Sequence, residues 1–273
     1  MKYGIREICD VVLKAKADNT RVGNKTFSKG EPVIYFDSLK TSTMEGAATT
    51  VYAQGGRGNS RLVAWEGERT VTFTMEDALI SELGLAVLTG AGIIEGTKET
   101  AITVHTTAKA PVNEGKAELA IDETIATDAE IYAIVMDEYD NVLETKEITG
   151  NSLTLSDINN DAAKVVLFDF YVTKNGGKQI EITADKFAGN YYLEASTLFR
   201  SQDGVDHPAE FIIPNCKIQS NFTFTMASSG DPSTFTFTMD AFPDYTKFDY
   251  TKKVLSVIQV IDEENAPLAD IGE

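Results

Sequence analysis

Three stretches of the chain alternate threonine with apolar residues: Thr70-Val71-Thr72-Phe73-Thr74-Met75, Phe222-Thr223-Phe224-Thr225-Met226 and Phe235-Thr236-Phe237-Thr238-Met239. Successive side chains on a strand point to opposite faces, so each stretch predicts a strand with its apolar residues toward a core and its threonines on the other side. β-Branched threonine suits that second face, which can pack on neighbouring strands or on another subunit. The last two copies are separated by Ala227 to Thr234. The turn signal Gly230-Asp231-Pro232 in that interval predicts that they form an antiparallel hairpin. After the first copy come acidic Glu76 and Asp77, then Leu79, Ile80, Leu83, Ala86 and Val87 at spacings of three and four, then Gly90. This predicts one amphipathic helix of about three turns, with Gly84 lowering its propensity.

The other apolar runs read as short strands at 100–105, 116–121, 131–136, 142–148, 164–173, 178–183, 190–199 and 209–218. Val33-Ile34-Tyr35-Phe36, behind the turn Gly30-Glu31-Pro32, adds another. Residues 1–30 stay open: Ile5, Ile8, Cys9 and Val12 fit a helical face, while Val12 to Lys16 fits an edge strand. From Lys40 to Arg61 no period is sustained, and the stretch ends in Gln54-Gly55-Gly56-Arg57-Gly58-Asn59-Ser60. A loop of that length usually has a task, so an arm or lid that contacts a partner is expected there. The fold class is mainly β.

Charge changes the picture next. The 273 residues carry 24 Lys+Arg against 42 Asp+Glu, a net charge of -18. A protein that grips duplex DNA by neutralising phosphates needs clustered basic residues, and that class is excluded. The imbalance is uneven. Residues 1–105 hold 12 basic and 13 acidic groups, 106–175 hold 5 and 14, and 176–273 hold 7 and 15. Linker-like Ala108-Lys109-Ala110-Pro111 and Lys174-Asn175-Gly176-Gly177 flank the acidic middle. The expected organisation is a discontinuous β domain of 1–105 and 176–273, holding an inserted acidic β subdomain, Ig-like or smaller, at 106–175.

Candidate chemistry adds little. Cys9 and Cys216 make no disulfide framework, and with only His105 and His207 beside them a structural zinc site is not expected. Gly55-Gly56-Arg57-Gly58 lacks the Lys-Ser/Thr of a phosphate loop, and neither histidine sits in a metalloprotease or hydrolase motif. Asp137 to Asp140 and Asp203 to Asp206 are explained by turns, and Asn221-Phe222-Thr223 is an accidental glycosylation match. No apolar run is long enough to span a membrane and no leader is evident. No enzyme, cofactor or metal is expected.

Several blocks nevertheless resemble the tail tube (major tail) proteins of tailed bacteriophages. They are Leu62-Val63-Ala64-Trp65-Glu66-Gly67-Glu68-Arg69 running into the first threonine strand, Asn190-Tyr191-Tyr192-Leu193-Glu194-Ala195, Ala209 to Ile218, and the closing run from Gly230 to Asp244. Together they cover about the first 95 residues and 178–245; the middle lies outside the resemblance. What the resemblance implies is a tail-tube-like β-sandwich or barrel of two packed antiparallel sheets with one helix and a long loop. Six copies would form a ring whose inner sheets join around a lumen, and rings would stack. The loop Gln54, Gly55, Gly56, Arg57, Gly58 and Asn59 would reach the next ring. Thr70, Thr72, Thr74, Thr223, Thr225, Thr236 and Thr238 would lie on lumenal-sheet strands or at the ring interface, and Trp65 and Phe73 in the core or the ring interface. Pairing open sheet edges around a ring removes a liability.

The expected function is therefore a virion protein, made in the host cytoplasm, whose stacked hexamers give an acidic channel for DNA ejection. DNA would pass without specific binding. Its partners would be itself and other tail proteins such as sheath, terminator or baseplate, with no membrane. A capsid decoration or baseplate protein is the alternative, followed by a carbohydrate-binding β-sandwich, for which a single Trp is thin support.

Overall fold

The computed structural model describes residues 2–127, 129–226, 228–230 and 233–261. The strands are β1 (Tyr3–Ile5), β2 (Asp10–Ala15), β3 (Thr20–Val22), β4 (Lys25–Phe27), β5 (Pro32–Phe36), β6 (Leu39–Gly55), β7 (Ser60–Asp77), β8 (Gly92–Glu95), β9 (Ile102–Pro111) and β10 (Ala117–Leu119). They continue with β11 (Thr124–Ile125), β12 (Ile131–Met136), β13 (Val142–Ile148), β14 (Leu153–Leu155), β15 (Val165–Lys174), β16 (Lys178–Glu181), β17 (Asn190–Ser201), β18 (Asp206–Ile218), β19 (Phe235–Ala241) and β20 (Val257–Val260). Among the described residues the single α-helix is α1 (Glu82–Thr89), so the protein is mainly β and its sheets are antiparallel. The chain divides into two compact units, one of residues up to 93 and from 180 onward, the other of 94–179.

The first unit is organised by one open sheet in the order β5-β2-β17-β18-β19-β7-β6, with β1 added on β17 and β20 on β18. Residues 1–30, open between helix and strand in the sequence, form strands. β2 is no edge: it lies between β5 and β17, with Leu13 opposite both Ile34 and Leu193. Alternation then builds the core row by row. Ala15, Tyr191 and Cys216 face inward together, as do Leu13, Leu193 and Ile213. The two threonine words at 70–75 and 235–239 pair with each other, Met75 opposite Phe237 and Phe73 opposite Met239, and all four of these side chains are buried.

The predicted hairpin between Phe222–Met226 and Phe235–Met239 does not form as a ladder. β19 instead hydrogen-bonds to β7 along its length and to β18 only at Cys216, Lys217 and Ile218. Residues 222–226 carry no strand, and their side chains are exposed; Asp231 and Pro232 of the expected turn lie outside the described residues.

The helix is shorter than its periodicity suggests. Glu76 and Asp77 end β7, where the Asp77 carboxylate accepts from the Ser38 hydroxyl at 2.5 Å and from the Leu79 N–H at 3.2 Å. Leu79 and Ile80 are exposed. The N-cap is Ser81, whose hydroxyl accepts from the Gly84 N–H at 2.9 Å. Gly84 lies where α1 approaches the sheet closely: a Cβ there would come within 3.7 Å of the Phe237 ring and 3.0 Å of the Ser81 hydroxyl. At the other end, Gly90 takes the left-handed conformation (φ 73°) and donates to the Ala86 carbonyl. A Cβ on Gly90 would sit 2.5 Å from the Phe187 carbonyl carbon and oxygen. Gly90→Ala is therefore expected to destabilise the fold by roughly 2 kcal/mol, from backbone strain and that clash together. Urea unfolding checks it, and an unchanged midpoint would show that Phe187 yields freely.

The unit of 94–179 has its own core. β15 lies between β9, β11 and β12, and β13 flanks β12. Val166, Phe168, Phe170 and Val172 project from one face of β15 and pack with Ile131, Ala133, Val135, Leu153 and Leu155. β10 pairs with β14 as a two-stranded sheet.

Candidate assembly surface

The stretch from Lys40 to Arg61, expected as an irregular loop, is a strand and half of a long hairpin. β6 and β7 pair continuously from Leu39↔Asp77 to Gly55↔Ser60, with register shifts at Leu39/Thr41, Ala48/Thr50 and Ala53/Gln54. Only Gly56 to Asn59 turn, with Gly56, Gly58 and Asn59 all at positive φ and the Asn59 N–H donating to the Gly56 carbonyl at 3.2 Å. Gln54 and Gly55 belong to β6. Beyond Glu45 on one strand and before Val71 on the other, almost every residue is exposed, so the distal half of this hairpin is an arm that adds nothing to the core. An arm wetted on both faces has no reason to alternate, which is why its sequence shows no period.

The arm carries more apolar surface than solvent alone would favour. Val51 stands opposite Trp65 and Ala53 opposite Val63, which places the four on one face. Trp65 is 55% exposed, so it is not a core residue of the subunit, whereas Phe73 is buried at 1%. On the opposite face, Arg61 stacks its guanidinium 4.1 Å from the centre of the Tyr52 ring. β6 is also a terminal strand of the sheet, and β5 is the other. Unpaired edges of this length are surfaces on which further strands add.

At the root of the arm, the second face of the sheet is threonine-rich. Thr43, Thr74 and Thr238 form one cross-strand row, and Thr41, Glu76 and Thr236 the next. Thr72 pairs with Asp240, its hydroxyl 3.3 Å from the carboxylate, and Gln219 donates to the same carboxylate at 3.0 Å. The sequence-selected threonines thus separate into three groups. Thr72, Thr74, Thr236 and Thr238 share this face, Thr70 stands on the exposed arm, and Thr223 and Thr225 lie outside any ladder. Farther across the sheet, the segment after β19 is tied down by Lys16–Asp244 at 2.7 Å and by Lys247, which sits 3.5 Å from Glu194 and 4.6 Å from the Tyr192 ring centre.

Groups of catalytic type are engaged elsewhere or inert. Burial pushes the Cys216 thiol up to about 12 and also raises that of Cys9, so both stay protonated. His105 pairs with Asp169 at 2.7 Å on an exposed strand face. Asp137 accepts from the Tyr139 and Asn141 N–H groups of its own turn, and hydrogen bonds led by the Asn141 side chain hold its carboxyl below the ordinary range. Arg200 holds Asp206 through two bonds of 2.6 Å. Among the described residues no group of three or more His, Cys, Asp or Glu is arranged to hold a metal, and no helix is long and apolar enough to cross a membrane.

A model of the YomU/Tube protein family matches residues 4–254. The chain belongs to that family. Membership agrees with the tail-tube resemblance of the blocks around Trp65, Tyr191 and Phe237, and it makes this YomU/Tube protein a tube-type structural protein of the phage virion rather than a typical enzyme. The match runs through the acidic middle of the chain as well as through the sheet and the arm. No curated protein matches it.

Proposed function

We propose that this YomU/Tube protein is a tail tube subunit: copies close into hexameric rings through their sheet edges, rings stack through the arm, and the stack conducts DNA. The observation that carries the reading is the β6–β7 arm, which leaves the core behind and exposes Val51, Leu62, Val63 and Trp65 while β6 and β5 end the sheet. A monomer gains nothing from such a feature, whereas association buries it. On β6 and β7 the threonine face at the root of the arm, with Thr41, Thr43, Thr72 and Thr74, supplies the lumenal strands. Its hydroxyls hold water without holding phosphate, so DNA slides past them.

Charge supports passage more modestly than the total suggests. Of the net -18, residues 94–179 hold 7 basic and 16 acidic groups and residues 262–273 hold five acidic ones, which leaves -4 for the rest. Repulsion from the lumen comes from Glu45, Glu76 and Asp240, which stand in the cross-strand rows of that face, and the wetted hydroxyls between them complete the lining. The acidic unit of 94–179 serves as decoration, and other tail proteins close the ends of the stack.

Negative-stain microscopy of the purified full chain is expected to show rings or tubes. Replacing 94–179 by a short Gly/Ser linker is expected to leave polymerisation intact. A monodisperse monomer at every concentration tested would sink the proposal.

A further inference from the structure

Beside the ladder that the first and third threonine words share, the second leaves a slot. β18 and β19 are laddered through Ile218↔Met239, with one more bond from the Gln219 N–H to the Thr238 carbonyl at 2.8 Å. From there the walls part. They meet again where the Phe224 and Phe235 rings touch and where the Ser233 hydroxyl donates to the Thr225 carbonyl. Between these ties lies a groove of about 580 Å³, bounded at both ends, whose walls are Gln219 to Thr225 and Thr234 to Thr238. One wall is held firmly, because β19 is laddered to β7 on its far side. Phe222, Phe224 and Phe235 stand edge to face at 5.6 and 5.4 Å beside it.

The chemistry of the slot selects its occupant. Among the described residues no charged side chain lines it; the walls are hydroxyls, amides, Leu88 and phenylalanine rings. A charged or strongly solvated group would lose its hydration there without an ionic partner. A strand inserted along the slot would have to pass the ties at its two ends, so a projecting apolar side chain fits better than a continuous backbone. The protein presents such a projection. Trp65, its only Trp, stands exposed on the arm with Val51 opposite and Val63 beside it, and β6 is uncharged from Gly46 through Gly55. Large aromatic anchors seated in well-packed pockets carry most of the energy of an interface.

We propose that the slot between Gln219–Thr225 and β19 of one copy receives Trp65 of a second copy, with Val51 and Val63 closing over its mouth. This rests on the tube reading and names the place where the arm lands. Knob and slot are different surfaces of one chain, so the contact is heterologous and, made between rings, can repeat from one ring to the next, as stacking requires.

Having a single Trp makes the test direct. On polymerisation of the full chain, Trp65 emission shifts to the blue and acrylamide quenching falls. Thr223→Lys/Thr225→Lys, both at exposed positions, raises the critical concentration about tenfold by placing unpaired charge in the slot, without changing the melting temperature. A mixture of Val63→Cys and Thr236→Cys chains, both keeping Trp65, treated with a short bismaleimide, gives cross-linked dimers that neither variant gives alone; the native thiols are buried. Polymers with unchanged Trp emission overturn this inference and leave the tube reading standing. So does a blue shift without the mixed cross-link or the effect of the lysines, since Trp65 then buries elsewhere. Failure to polymerise at all overturns both.

Discussion

Cutting the arm back to its root, by joining Ala48 to Arg69 through an Asn-Gly turn, is expected to give a subunit that folds as well as its parent and does not polymerise. Ala48 and Arg69 are directly opposite in the ladder, so a two-residue turn closes the shortened hairpin in its existing register. The removed residues contribute none of the buried side chains of the core, whose nearest members on these strands are Met44, partly buried, and Phe73. Folding stability should therefore change by no more than about 0.5 kcal/mol, the range of surface substitutions away from special features. Association should fall beyond detection, because the exposed Val51, Val63 and Trp65 leave together. Far-ultraviolet circular dichroism through a thermal melt and microscopy of the same sample separate the two effects. Tubes of normal length from the shortened chain would show that rings stack without the arm.

The second large effect is on the fold itself. Phe237→Ala is expected to cost about 3–4 kcal/mol, as truncation of a fully buried aromatic does. Phe237 is where three elements converge: it pairs with Met75 across β7, meets Phe36 edge to face at 4.9 Å, and lies beneath Gly84 of α1. Because the helix approaches closely there, it has little room to settle into the space left behind. Phe237→Leu keeps more of the volume and should lose only about 1 kcal/mol. Urea unfolding measures both. A loss under 1 kcal/mol for the alanine variant would mean that the helix moves to fill the cavity.

How much of this was legible in the sequence depended on whether a segment has one wet face and one dry one. At 131–136, 142–148, 190–201 and 206–218, burial of one face imposes alternation, and the expected strands lie within a few residues of the observed ones. The arm failed that test for a physical reason: both of its faces meet solvent, so nothing selects a period and an ordered hairpin reads as a loop. Glu76 and Asp77 misled in another way. Acidic residues before an apolar run resemble a helix start, yet Asp77 is spent on a turn that ends β7, and the serine four residues later is the real cap.

The threonine words show the limit most plainly. Sequence proximity favoured pairing the second with the third, but the third found a better partner in the first, where Phe73, Met75, Phe237 and Met239 bury one another. The second was left without a ladder, and the slot beside it had no signature at all, since it is made by a strand that is missing. Among the site residues, the tip Gln54 to Asn59 was singled out for its glycines, which serve the turn. The apolar face behind it was seen only as a resemblance around Trp65.

The order in which the chain leaves the ribosome gives that pairing another meaning. β6 and β7 are neighbours in sequence, and a hairpin of this kind closes within microseconds. β2 waits for β17, and the root of β7 waits for β19, more than 150 residues behind it. Such distant contacts make folding slow. The arm is thus complete long before the sheet that anchors it, and the walls of the slot follow β17 and β18. A nascent chain holds out its knob early and offers no socket until more than 150 residues later, a timing that delays the joining of copies on one polysome.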